Sequence, residues 1–416
     1  MQSQVPPLHQ TEYNELMRRL LTRLSKRRFP YEPLITVSLS RSHLIHNLHE
    51  FMKIAPRGTV APVLKSNAYG HGLIEVARII EAERQSDGRA KKDRIPFVIV
   101  DSFFEAVALR AARIRTPILI IGYTRPETIA RSRLKNVSFT ITSIETLKHI
   151  AEYEPSWFPW SGNRITIHLK IDTGMHRQGI LPDELAQIDD ILDMNPEIIL
   201  EGICSHFADA DGADPSITES QIHVWNRLVK HLHEQYSSLK HIHISNTDGH
   251  RYVHECHATM SRLGLGLYGL ADGTSFSPAL DLQPVLRMDT IVSGIKKIHR
   301  DDAVGYGATF KAPHDMTIAT IPVGYYEGLD RRLSNIGTVL VGDDRVPCPI
   351  VGRVSMNITI IDVTHISEIA TGTPVTVISD VSTDPNSIVN MARTIHAIPY
   401  EPVVFIPATL KRDIVD

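Results

Sequence analysis

"TVAPVLKSNAYGHG", residues 59–72, runs from β-branched and apolar residues into a lysine, then into a tyrosine set among small residues. The apolar run reads as a strand buried on both faces, because no polar residues alternate through it. Lys65 closes that run. Burial strips hydration from an ammonium group and lowers its pKa. The side chain therefore either snorkels to the surface or serves as a nucleophilic amine able to form a Schiff base with an aldehyde. The stretch that follows, "GLIEVARIIEAER", places apolar residues at helical spacing. A strand, a polar residue at its end and a helix make one unit, and the repetition of that unit decides the fold.

Seven more apolar runs follow in the same manner: "IPFVIVDS", "TPILIIGY", "VSFTITS", "RITIHLKID", "IILEGICSHF", "KHIHISNT" and "MSRLGLGLYG". Helical stretches such as "SFFEAVALRAARI" and "TESQIHVWNRLVKHLHEQY" lie between them. Eight parallel units over residues 41–282 imply an α/β fold built as a TIM-like (β/α)8 barrel. An open doubly wound sheet is the alternative, but no glycine fingerprint for a dinucleotide follows the first strand. In a barrel, functional groups gather at the C-terminal ends of the strands. Lys65, Asp172, His206, Asn246 and Arg262 each fall at or just past such an end, and five strands converging in this way favour a site.

The texture changes after Leu282. Residues 283–416 carry short strands separated by glycine, proline and aspartate, as in a mostly antiparallel β domain. An opening strand at residues 33–40, "LITVSLS", falls outside the eight units and is assigned to that second domain. Residues 1–32 read as a separate extension in which Leu16, Leu20, Leu21 and Leu24 share helical spacing among basic residues. A short amphipathic helix packed on the body, or a frayed extension, is expected there.

Composition removes several classes of function. The chain has 416 residues, 42% of them hydrophobic, and a net charge of -3, which gives no reason to invoke nucleic acid or an anionic membrane as a partner. No apolar run is long enough for a bilayer span, and the polar N-terminus lacks the apolar core of a secretory signal. Three cysteines without paired spacing give no sign of an oxidising compartment, so a cytoplasmic location is expected. His250, His254, Cys256 and His257 lie close in sequence, but their spacing matches no standard zinc site and no metal is assigned. Cys204 and His206 share a strand face without an oriented third partner, so Cys204 is read as a small buried residue rather than a nucleophile.

The motifs together resemble the alanine racemase family, enzymes of the type III pyridoxal-phosphate fold. "VLKSNAYGHG", "KIDTGMHRQG", "CSHFADAD", "HISNTDGH", "SRLGLGLYG", "VGYGATF", "GYYEG", "GRVSMN" and "IPYEP" match family segments in the same order. The resemblance implies pyridoxal 5'-phosphate on Lys65, which would also act as one catalytic base, with Tyr306 as the second. It places Tyr69, Asn246, Thr247, Gly264, Leu265 and Tyr400 around the cofactor phosphate, and His206 and Arg262 near its ring. Thr247 stands where serine is usual and keeps the hydroxyl. Arginine cannot surrender a proton at working pH, so Arg262 would leave the ring nitrogen unprotonated and favour simple proton exchange. Arg177, Met356 and Tyr325 would form the substrate pocket, with Tyr306, Met356 and Tyr325 arriving from the partner chain of a homodimer. The implied function is interconversion of L- and D-alanine, supplying D-alanine for peptidoglycan. A racemase of serine or of broader specificity, a decarboxylase of the same fold and a non-catalytic carrier of pyridoxal phosphate are the alternatives. Two residues depart from the family pattern: His176 replaces a common glycine and Asn357 a common aspartate. Lys170 aligns with a lysine that is carbamylated in some members; the other reading is an inward lysine paired with Asp172.

Overall fold

The computed structural model describes residues 32–86, 93–153, 164–236 and 238–416. The helix expected around Leu16 to Leu24 lies outside them. Eight short parallel strands form a ring: β2 (Val60–Pro62), β3 (Val98–Val100), β4 (Ile118–Ile120), β5 (Val137–Ile141), β6 (Ile165–Lys170), β7 (Ile198–Cys204), β8 (His241–His243) and β9 (Ser261–Leu263). Strands β3 to β8 pair in sequence order and β9 pairs with β2. Two seams close the circle. The Leu64 N–H donates to the Ile99 carbonyl at 2.7 Å, and the Arg262 N–H donates to the Ser245 carbonyl at 3.1 Å.

The strands are short and their side chains are buried, as parallel strands covered on both sides require. The covering helices start at caps that the sequence supplies. Ser102 and Glu105 form a capping box before the helix Phe103–Ala111, and Ser143 caps the helix Ile144–Ala151. The longest helix, Ser216–Gln235, buries Thr218, Ile222, Trp225, Val229 and Leu232, one stripe at helical spacing.

The second domain is built on a six-stranded sheet in the order β16-β15-β18-β10-β1-β19, with a three-stranded sheet β11-β14-β17 and a small pair β12-β13. Its main strands are β10 (Leu286–Ile291), β15 (Thr338–Val341), β16 (Val346–Pro349), β18 (Pro374–Ile378) and β19 (Arg412–Val415). Strand β1 (Thr36–Ser40) lies in this sheet, antiparallel to β10 and parallel to β19. The other members are β11 (Gly294–Ile298), β12 (Ala303–Val304), β13 (Phe310–Lys311), β14 (Met316–Ile321) and β17 (Thr359–Asp362). Two short helices, Ile388–Thr394 and Tyr400–Val404, return the chain toward the barrel mouth. No helix among the described residues is long and apolar enough to cross a membrane.

Candidate active site

The strand ends enclose a cavity of about 560 Å³ whose wall includes Lys65, Tyr69, Arg177, His206, Asn246, Thr247, Arg262, Gly264 and Tyr400. Nine of the residues singled out in the sequence therefore meet at one place. Burial holds the Lys65 ammonium below its usual pKa, with Arg177 and Arg262 adding to the effect and Asp101 opposing it. A lysine so placed is closer to the free amine that nucleophilic chemistry needs.

The backbone after Lys65 is strained. Ser66, Asn67, Ala68 and Tyr69 all take positive φ, between 52° and 56°, and so form one turn of left-handed helix. For residues with a Cβ this costs roughly 1–2 kcal/mol each, so the surroundings must enforce it. The Asn67 N–H donates to Glu105 Oε1 at 3.2 Å, and Asn67 Oδ1 accepts the Leu73 N–H at 2.9 Å. Arg412 donates twice to the Gly70 carbonyl, at 3.2 and 2.7 Å. At Gly70 (φ 81°) an added Cβ would lie 1.9 Å from the Val403 carbonyl oxygen, so only glycine fits. His71 Nδ1 lies 3.1 and 3.0 Å from the carbonyls of Ala68 and Tyr69. That nitrogen must carry the proton, and Nε2 is left buried without a partner. Burial pushes the His71 pKa down to about 3.

This turn aims Tyr69 at a second loop. The ring is wedged between Tyr268 and Tyr400, with centroids 5.2 and 5.5 Å away. A Cβ on Gly264 would come 2.7 Å from the Tyr69 hydroxyl. The N–H groups of Gly264 and Gly266 both donate to Thr247 Oγ1, at 3.2 Å. Those two bonds leave the Thr247 O–H free to donate, and with the hydroxyls of Tyr69 and Tyr400 and no room for a Cβ at Gly264 they make a cradle suited to an anion. Leu265 is buried and is not in the cavity wall, because its side chain packs into the core while its neighbour Gly264 lines the cavity.

Arg262 closes the cavity floor. Its guanidinium donates to the carbonyls of His243, Ser205 and Ile244 at 3.0, 2.9 and 2.8 Å. It also donates to His243 Nδ1 at 2.8 Å and to His206 Nδ1 at 2.9 Å. Because arginine only donates, both imidazoles must accept at Nδ1 and carry their protons on Nε2. His243 then donates through Nε2 to His168 Nδ1, 3.0 Å away. Burial first, and then the Arg262 charge, push His206 down to about 2, so it stays neutral. None of these five acceptors is a carboxylate.

Arg177 follows a tight turn in which Asp172 Oδ1 accepts the N–H groups of Gly174, Met175 and His176. His176 sits at φ 53°, a left-handed conformation that histidine tolerates better than most residues. Lys170 donates to Gln178 Oε1 at 3.3 Å, while the Asp172 carboxylate is engaged by the turn. Cys204 is buried, and burial raises its thiol pKa, away from a reactive thiolate. Among the described residues no group of three or more His, Cys, Asp or Glu side chains could hold a metal ion.

Several wall residues went unremarked in the sequence: Asp101, Thr140, Gln178, Ser205 and His243. Asp101 directly follows the strand run "PFVIV", so the strand-end rule alone could have found it. His243 signals itself only as a polar residue within an apolar strand. Three expected residues lie elsewhere. Tyr306, Tyr325 and Met356 are on the β domain, 71%, 42% and 55% exposed, and do not line the cavity of their own chain.

A closed barrel with a desolvated lysine and an anion cradle at its mouth, continued by a mostly antiparallel β domain, defines the class: a two-domain barrel enzyme built around a buried amine. The chain belongs to the alanine racemase family. Residues 39–272 match that family's N-terminal domain and residues 285–414 its C-terminal domain. It is 34% identical to alanine racemase 2 of Oceanobacillus iheyensis over 381 residues, 90% of this chain and 91% of that one. It is 33% identical to the alanine racemase of Lactobacillus acidophilus over 88% of this chain and 93% of that one. Among solved structures, alanine racemase of Clostridium difficile 630 superposes with a TM-score of 0.81 at 26% identity, covering 92% of this chain and 96% of that one. A histidine racemase from Leuconostoc mesenteroides superposes with a TM-score of 0.78 at 27% identity, covering 92% and 99%.

Proposed function

We propose that this racemase interconverts L- and D-alanine with pyridoxal 5'-phosphate held on Lys65, in a homodimer whose sites each draw on both chains. The cavity fits that cofactor. A phosphate suits the hydroxyls of Tyr69, Thr247 and Tyr400 and the Leu265 N–H beside the close-packed Gly264, with Asn246 alongside, and His206 and Arg262 would flank the ring. The cofactor supplies an aldehyde for the substrate amine and a ring that spreads the charge left when Cα loses its proton.

The chain's own groups do the rest. Lys65 Nζ takes the Cα proton from one face, and Tyr306 Oη of the second chain returns one to the other. In the reverse direction the two exchange roles. A free tyrosine near pKa ~10 is a weak base, so nearby cations must ease its deprotonation. Arg177 would orient the substrate carboxylate, with Met356 and Tyr325 of the second chain closing the pocket. Arg262 carries the choice of reaction: held by carbonyls and neutral imidazoles, with no carboxylate in the set, it favours proton return over decarboxylation or transamination. D-Alanine made in the cytoplasm would serve peptidoglycan assembly.

The purified protein, supplied with pyridoxal phosphate, should turn L-alanine into an equal mixture of enantiomers on chiral chromatography. L-Serine and L-histidine should react far more slowly. Faster formation of D-serine or D-histidine, or no D-product from any of the three, would replace this reading.

A further inference from the structure

On the β domain the segment Gly324–Gly328 lies against residues 355–358. The Tyr325 N–H donates to the Ser355 carbonyl at 3.0 Å, and the Tyr326 N–H donates to the Met356 carbonyl at 2.9 Å. A Cβ on Gly324 would lie 2.2 Å from the Ser355 oxygen and 2.5 Å from the Met356 oxygen, so the two backbones touch. One side-chain pair stitches them further. Asn357 Nδ2 donates to Glu327 Oε1 at 2.6 Å, while Glu327 Oε2 accepts the Gly324 N–H at 2.9 Å. Glu327 is only 8% exposed, and both donors are neutral.

We propose that Glu327 and Asn357 act as one positioning unit, fixing Tyr325 and Met356 where the partner chain's substrate carboxylate is received. The inference rests on the dimeric racemase reading above. It gives the amide at position 357 a role. With Glu327 already buried at hydrogen-bond distance, an aspartate there would set two carboxylates against each other. Either the exposed aspartate turns to solvent and the stitch is lost, or one of the two carboxylates takes up a proton. Asparagine instead supplies the donor that the carboxylate lacks. Exchanging the two chemistries should also work. Glutamine at 327 can accept the Gly324 N–H through its oxygen and donate its NH₂ to an aspartate at 357.

The test compares KM and kcat for L-alanine at one fixed alkaline pH in wild type, Asn357→Asp, Glu327→Gln and the double variant. Asn357→Asp should raise KM about tenfold with kcat within about twofold, and the double variant should return to within about threefold of wild type. Competitive inhibition by propionate, a carboxylate without the amine, should weaken in parallel with KM. An unchanged KM in Asn357→Asp overturns the proposal, even where its melting temperature falls, because a purely structural pair would behave in that way. A double variant no better than the worse single variant overturns it too. A wild type that does not turn over L-alanine sinks the racemase reading and this inference with it. An active wild type with an indifferent Asn357→Asp sinks the inference alone.

Discussion

His71 and His250 show how far single residues here depart from their solution behaviour. Both are buried, and each binds carbonyl oxygens through Nδ1 while Nε2 is left without a partner. Burial lowers His71 to about 3 and His250 to about 4, from an ordinary value of 6.5. Above pH 6.5 both are neutral whether folded or unfolded, so they add no pH dependence. Below it the unfolded chain binds two protons that the folded chain refuses, and stability falls as pH falls, down to about pH 4. Each histidine accounts for up to about 1.4 kcal/mol per pH unit in that window. Urea unfolding of the cofactor-free protein should therefore lose about 3 kcal/mol between about pH 7.5 and about pH 5.5 from this pair. His71→Gln should remove about half of the loss. An identical pH slope in wild type and variant would mean that His71 is not held neutral. The sequence offered little warning. Lys65 was legible because a lysine closing an apolar strand is conspicuous, whereas a histidine among small residues could face either way.

Elements were easier to read than residues, and the failures share one cause. Most barrel strands were legible as largely apolar runs, because strands covered on both faces carry few polar residues. The left-handed turn at residues 66–69 was not. Its four residues all carry side chains, and positive φ is enforced by Glu105, Arg412 and the close backbone at Val403, which are distant in sequence. In the β domain "VLRMDTIVSGIKKIH" reads as one region but splits between sheets, β10 into the large one and β11 into the small one. Within the site, the residues of the barrel strands were found by position, whereas Tyr400 rested on resemblance alone. The structure gives it a physical reason: it packs on Tyr69, and burial pushes its hydroxyl up to about 12. That packing sets up a test of the phosphate loop. In Gly264→Ala the new Cβ would sit 2.7 Å from a hydroxyl whose ring cannot retreat between Tyr268 and Tyr400. Overpacking of this kind commonly costs ~1–3 kcal/mol. Affinity for pyridoxal phosphate, followed by absorbance titration, should fall at least about tenfold. Unchanged affinity would place the anion cradle elsewhere.

At the scale of the whole molecule, the two proposed catalytic groups, Lys65 and Tyr306, lie apart within one chain. Lys65 faces the cavity, while Tyr306 is exposed on the β domain and outside its wall. Proton exchange on two faces of a planar centre needs a group on each. A two-fold dimer in which each barrel mouth receives the other chain's β domain would supply both, and symmetry makes its two sites equivalent. It would also cover the exposed Tyr325, Tyr326, Met356 and Ile358. Loss of a positioned acid–base group typically costs ~100 to ~10,000-fold in rate, so Lys65→Ala and Tyr306→Phe homodimers should each be nearly inactive. Subunits exchanged between them form heterodimers in which one site carries both defects and the other carries neither. With random exchange half the dimers are mixed, and each of those has one intact site of two. Activity should then recover to about a quarter of wild type. A mixture that stays inactive after exchange is confirmed by mass spectrometry would mean that Tyr306 serves its own chain, and the β domain would then have to swing across the barrel mouth in every turnover.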